Sequence, residues 1–194
     1  MTQRIAGVDE AGRGPLAGPV VVAAVILDPQ RPIAGLNDSK KLSAKRREHL
    51  AEQIKQHAMS LSIIEVSAET IDQLNILQAT LQGMAQAVAA LDHVPDRVRV
   101  DGNQRPPIAG EVETWVGGDA LDEAISAASI LAKVHRDQWM AALHQTYPGY
   151  GFDRHKGYPT AEHLNALARL GPCPAHRLTF KPVTRALEAR QSEP

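Results

Sequence analysis

Asp9 and Glu10 stand side by side where the apolar run Ile5-Ala-Gly-Val8 gives way to the glycine-rich Ala11-Gly-Arg-Gly14. Two further acids occupy similar places: Asp101 ends Val98-Arg-Val100 and precedes Gly102-Asn103, and Asp119 follows Gly117-Gly118. Each has a plain alternative taken singly. Asp9 and Glu10 could be solvated acids at a strand end, Asp101 half of an ordinary Asp-Gly turn, and Asp119 the N-cap of the helix that follows. Taken together, acids at the ends of neighbouring strands would repel one another unless cations lay among them. Oxygen ligands without histidine or cysteine at ligand spacing select Mg²⁺ or Mn²⁺ over zinc. Beside them, Gly12-Arg13-Gly14 could offer backbone N–H groups and a guanidinium to a phosphate or a sugar hydroxyl.

Other chemistries lack their residues. There is no Gly-x-Ser-x-Gly elbow, no phosphate loop ending in Gly-Lys-Ser/Thr and no dinucleotide glycine fingerprint. Cys173 is the only cysteine, which excludes an internal disulfide and a multi-cysteine metal site and leaves it a structural or incidental residue. The eight histidines show no paired spacing and are expected mostly at the surface.

The elements that must position these residues follow from periodicity. Ile5 to Glu10 and Val20 to Leu27 read as neighbouring strands joined by an irregular turn, with further strands at Leu61 to Val66, Arg97 to Asp101 and Glu113 to Val116. Ser43 caps a predicted helix to about His57 that turns Leu50 and Ile54 inward. Ser67 caps a predicted long helix carrying Ile71, Leu74, Leu81, Met84, Val88 and Leu91. A helix from Leu121 to about Leu143 presents the small residues Ala124, Ala127, Ala128 and Ala132 for close packing, and shorter helices follow Thr160 and Pro182.

The chain has 194 residues, 43% of them hydrophobic and 22% charged, which suits one globular α/β domain spanning residues 1–194. Its longest apolar run, Val20 to Leu27, is too short to span a bilayer, and Met1-Thr-Gln-Arg-Ile5 lacks a signal core, so a cytoplasmic location is expected. The net charge of −1 conceals an uneven distribution. Six acids face one base between Asp101 and Glu123, whereas Lys40 to Arg47 holds five bases and no acid, and residues 150 to 190 hold seven lysines or arginines against three acids. These could be solvated faces; an acidic focus flanked by bases also suits a metal-dependent nuclease, whose bases hold phosphates while its acids hold cations.

The ordered segments Val8-Asp-Glu-Ala-Gly-Arg-Gly-Pro15, Asn37-Asp-Ser-Lys-Lys-Leu42, Val100-Asp-Gly-Asn103, Gly118-Asp119, Ser126 to Val134, Tyr150-Gly-Phe152, His155-Lys-Gly-Tyr-Pro-Thr160 and His176-Arg177 resemble those of bacterial ribonuclease HII. The likeness runs from about Ile5 to Val183 and rests on order and spacing, since each segment alone is common. It implies a ribonuclease H-like fold, a mixed sheet flanked by helices with a C-terminal helical extension. It also implies that Asp9, Glu10, Asp101 and Asp119 hold two Mn²⁺ or Mg²⁺ ions, that Gly12, Arg13 and Gly14 surround a ribose 2′-hydroxyl, and that Tyr158 stacks on the next deoxyribose. Lys40, Lys41 and Lys133 are then phosphate contacts. The activity implied is hydrolysis of RNA in RNA/DNA hybrids and on the 5′ side of ribonucleotides embedded in duplex DNA, leaving 5′-phosphate and 3′-hydroxyl ends, by a monomer with no membrane partner. An inactive junction-binding protein of the same fold is the alternative. Two readings stay open at single residues: Tyr158 as core packing beside Pro159, and Ser126 to Lys133 as a packing face. One departure is Gly117, where the family commonly has lysine.

Overall fold

A computed structural model describes residues 3–191. Strands β1 (Ile5–Ala11), β2 (Val20–Ile26) and β3 (Ser60–Val66) form an antiparallel meander, and β4 (Arg97–Asp101) and β5 (Val112–Trp115) extend it in parallel on the other side of β1. The order β3-β2-β1-β4-β5 makes β1 the central strand. Every residue of β2 is buried, because helices cover both faces of the sheet.

Strand alternation decides which residues meet which helices. One face carries Val8, Val22, Ala24 and Val100 against α2 (Ala68–Leu74) and α3 (Ile76–Ala89). The opposite face carries Val21, Ala23 and Val25 against α1 (Ala44–His57) and α4 (Glu123–Thr146). Ala127, Ala128 and Ala132 of α4 are fully buried in that second layer, as their small size predicts. Ser43 caps α1, and Leu50 and Ile54 point into the core.

The predicted long helix after Ser67 is two helices. Asn75 breaks it with φ of 68°, and its side-chain oxygen accepts from the N–H groups of Leu77 and Gln78 at the start of α3. With ψ of 161° Asn75 lies outside the left-handed helical basin, in a region mostly left to glycine, and the cap it makes offsets that strain, so one residue ends α2 and begins α3. The apolar stripe survives the break: Ile71 before it and Ala79 and Met84 after it share one core.

Helices α5 (Phe152–His155), α6 (Ala161–Leu170) and α7 (Lys181–Gln191) form the C-terminal extension. It packs on the β1–β2 connection. Leu16 N–H donates to Gly157 O, Gly18 N–H to Ala175 O and Arg177 N–H to Leu16 O, at 2.8–2.9 Å. Three of the eight histidines are buried here, while the other five are exposed or half-buried, as expected of most. The hydrogen bonds of the buried three explain why. His155 stacks on His163, His163 Nε2 lies 3.1 Å from His176 Nε2, and His176 Nδ1 lies 3.2 Å from the Cys173 thiol. Burial, followed by the neighbouring His163, pushes His176 down to about 4, so that imidazole is held in neutral form. Cys173 is thus a buried partner of His176. Among the described residues no helix is long and apolar enough to cross a membrane.

Candidate active site

The carboxyl ends of β1 and β4 lie side by side, with Val8 paired to Val100, so Asp9 and Asp101 are brought to one edge although 92 positions separate them. Asp9 pairs with Ala23 and shares its face, toward α4; Glu10 pairs with Val22 and points toward α3. The two adjacent acids therefore leave the strand on opposite faces and approach the shared edge from either side. Asp119 comes from a short 3-10 turn at Gly118–Ala120 between β5 and α4. It is buried, and its own carbonyl accepts from Ser126 Oγ at 2.9 Å.

Asp119 is not the cap of α4. Asp122 takes that place, accepting from Ala124 and Ile125 N–H while Arg99 Nη1 donates to its other oxygen at 2.6 Å. Asp101 Oδ1 accepts from Gly118 N–H at 2.7 Å, which ties the strand end to the turn that carries Asp119. Gly117 adopts φ of 69°, in the left-handed region, so this turn suits glycine over a residue that carries a side chain.

The electrostatics match the crowding. Burial first, then Glu10 and Asp101, raise Asp9 well above the usual carboxylate range, although Glu10 N–H donates to it at 2.7 Å. Glu10 is raised by burial and by Asp101 against the pull of Arg13, whose guanidinium is 3.6 Å away. Asp119 is raised by burial, then by Asp38 and Asp101. Among the described residues no group of three or more acidic, histidine or cysteine side chains is placed to hold a metal ion. Mg²⁺ and Mn²⁺ need fewer protein ligands than that: such ions are held by one or two carboxylates with water and phosphate oxygens completing the shell. Oxygen-only donors at Asp9, Glu10 and Asp119, each raised in part by the charge of Asp101, fit a hard cation.

A cavity of about 220 Å³ opens beside Asp9, lined also by Gly12, Ser39, Lys40, Ser129, Lys133 and Tyr158. The structure thus gathers Asp9, Glu10, Gly12, Lys40, Lys133 and Tyr158 around one hollow. A wider groove of about 430 Å³ between Trp139, Tyr147 and Pro174 holds none of the sequence-predicted site residues. Tyr158 is 46% exposed, so it is not core packing, and its ring lies against Gly14. Arg13 and Gly14 are exposed while Gly12 is buried, with φ of 99° and no room for a β-carbon beside Arg136. Lys133 ion-pairs with Asp137 at 2.5 Å at the hollow's edge. Ser126 and Ser129 are buried members of the packing face. Lys41 lies 4.0 Å from Asp38 and does not line this hollow.

Three residues matter here to which the sequence reading gave no role. Asp38 accepts from Lys40 N–H and bears on Asp119; it stood inside the Asn37 to Leu42 segment without a part. Partial burial alone would lower Lys40, yet Asp119, Asp38, Asp9 and Asp101 raise it, so the ammonium stays charged among the acids. Arg136 and Arg177 are buried arginines against the Gly12–Pro19 connection. Arg136 had a signal: it follows Ala128 and Ala132 at four-residue steps on a buried stripe, where a charged residue is out of place.

Comparison with known proteins gives the family. The family model described as Ribonuclease HII matches residues 6–183. Ribonuclease HII of Acidovorax sp. (strain JS42) is 63% identical over 185 residues, covering 95% of this chain and 88% of the relative. The one from Delftia acidovorans is 60% identical over 191 residues, covering 98% and 81%. The crystal structure of ribonuclease H2 from Pyrococcus horikoshii OT3 superposes with a TM-score of 0.84 at 27% identity, covering 98% of this chain and 100% of that one.

Proposed function

The chain belongs to the ribonuclease HII family and is a phosphodiester hydrolase of the ribonuclease H type; from that premise we propose that it cuts on the 5′ side of ribonucleotides in duplex DNA and within RNA/DNA hybrids, leaving 5′-phosphate and 3′-hydroxyl ends. The observation that carries this reading is the placement of the exposed Tyr158 ring against Gly14, on the wall of the hollow that holds Asp9. A deoxyribose stacked on Tyr158 leaves the preceding ribose beside Arg13 and Gly14, whose N–H groups can donate to its 2′-hydroxyl. The phosphate on the 5′ side of that ribose then faces Asp9 and its neighbours.

In this reading Asp9, Glu10, Asp101 and Asp119 hold two divalent cations, and Lys40, Lys41 and Lys133 meet phosphates along the strand. Bound there, Mg²⁺ or Mn²⁺ would supply Lewis acidity, making water a nucleophile and offsetting charge on the departing 3′ oxygen. The protein's part is geometric: Asp9 is fixed by Glu10 N–H, Asp101 by Gly118 N–H, and Lys40 keeps its charge at the rim. Packing of the β1–β2 connection and α4 against the C-terminal helices supports the chain acting as one catalytic domain. We take it to work as a cytoplasmic monomer. Mapping product ends on a duplex with one embedded ribonucleotide tests the proposal. Cuts on the 3′ side, equal cutting of all-DNA duplex, or binding without cutting would each overturn it.

A further inference from the structure

Arg136 and Arg177 are among the largest fully buried side chains, and each gives its side-chain hydrogen bonds to backbone carbonyls. Arg177 Nη2 donates to Gly12 O at 2.6 Å and to Gly18 O at 2.9 Å, Nη1 to Arg13 O at 2.9 Å, and Nε to Gly18 O at 3.0 Å. Arg136 reaches Pro19 O and Ala17 O in the same connection, both at 3.1 Å, and Lys156 O at 3.0 Å, two residues before Tyr158. Burial lowers both guanidiniums, Arg136 to about 10 and Arg177 to about 9, the latter also through repulsion by Arg136. Two cations packed together and held by carbonyls are costly to a fold, and apolar side chains would fill such space at less cost. Their geometry has a use that explains them.

In a trans peptide the carbonyl of one residue and the N–H of the next point in opposite directions. Drawing Gly12 O and Arg13 O inward therefore turns Arg13 N–H and Gly14 N–H outward. Both of those residues are exposed, and Gly14 lies under the Tyr158 ring. A cation bound to the inner carbonyls also polarises the peptides, which strengthens their outer N–H groups as donors. We propose that Arg177, braced by Arg136, is a positioning residue that aims the Arg13 and Gly14 amides at the ribose 2′-hydroxyl. Arg136 joins this sensor to the Tyr158 turn through Lys156 O. The inference rests on the reading that these amides sense the ribose, given above.

The test measures binding in chelator, where nothing is cut, of a duplex with one ribonucleotide and of the matched all-DNA duplex. Wild type should prefer the first. Arg177→Lys keeps the charge but loses the planar fork, so that preference should fall about tenfold, toward unity, while all-DNA affinity changes little. Equal weakening on both duplexes, or an unchanged preference in the folded variant, overturns the inference. A wild type without preference overturns the sensor reading beneath it. Should Arg177→Lys not fold, hydrogen exchange in wild type still decides: the ribonucleotide duplex should protect the Arg13 and Gly14 amides and the all-DNA duplex should not. Equal protection by both refutes the inference.

Discussion

Asp9 and Asp101 are each held through one oxygen by a backbone N–H, from Glu10 and Gly118 respectively. Asparagine can accept the same hydrogen bond, so Asp9→Asn and Asp101→Asn are expected to fold and melt near wild type. Each should lose activity by about a hundredfold or more, because what goes is the charge proposed to position a cation. Activity assays paired with thermal melts check this, and near-normal cleavage by either variant removes that residue from the site. Tyr158 offers a different contrast. Its ring is exposed, so Tyr158→Ala should barely alter melting yet cut a single embedded ribonucleotide far less well than a continuous hybrid; equal losses on both substrates would refute the stacking role. The acids were legible in the sequence because carboxylates at strand ends are unusual in number. Arg177 was not, because its partners are carbonyls some 160 residues away that no side-chain pattern records.

Among the elements, the turn carrying Asp119 and the break at Asn75 make the sharpest forecasts. Asp119 has its pKa raised in the fold, chiefly by burial and then by Asp38 and Asp101. A raised carboxyl binds its proton more tightly folded than unfolded, so its contribution is favourable below the unfolded value, near 3.8, and is lost as pH rises through the folded one. In chelator, Asp119→Asn should therefore melt at or above wild type at neutral pH, by on the order of 1 kcal/mol, and the difference should close as pH falls toward that range. It should also gain less from added Mn²⁺. Melts across pH check the sign; an advantage that grows on acidification would refute it. At Asn75, alanine loses the cap and strains a positive φ, costing about 1–2 kcal/mol, whereas glycine should cost much less. Urea unfolding of both variants measures this, and equal costs would show that φ is not the constraint. Most strand and helix positions could be read from apolar periodicity, but the stripe through Ile71 and Met84 keeps its face across the break, so periodicity alone joined two helices into one.

For the whole molecule, a net charge of −1 gives no overall pull toward nucleic acid, and binding must depend on local bases around the acidic edge. Affinity for duplexes should still fall steeply with salt, and Lys40→Met should flatten that dependence by about one unit of log–log slope; an unchanged slope would take Lys40 off the phosphate path. The mixed sheet with its C-terminal extension was legible from the motifs and their order. The seat of that extension on the β1–β2 connection was not, since it is made by pairings such as Ala17 with His176 that local patterns do not encode. Those pairings set an order of events during synthesis. The acids of β1 leave the ribosome early, but the Gly12–Pro19 connection lacks its inner support until Arg177 has followed, 165 positions after Gly12. On the proposed reading, a nascent chain carries part of the cutting edge long before it has a seated means of choosing where to cut, and both mature together only when the last helices dock.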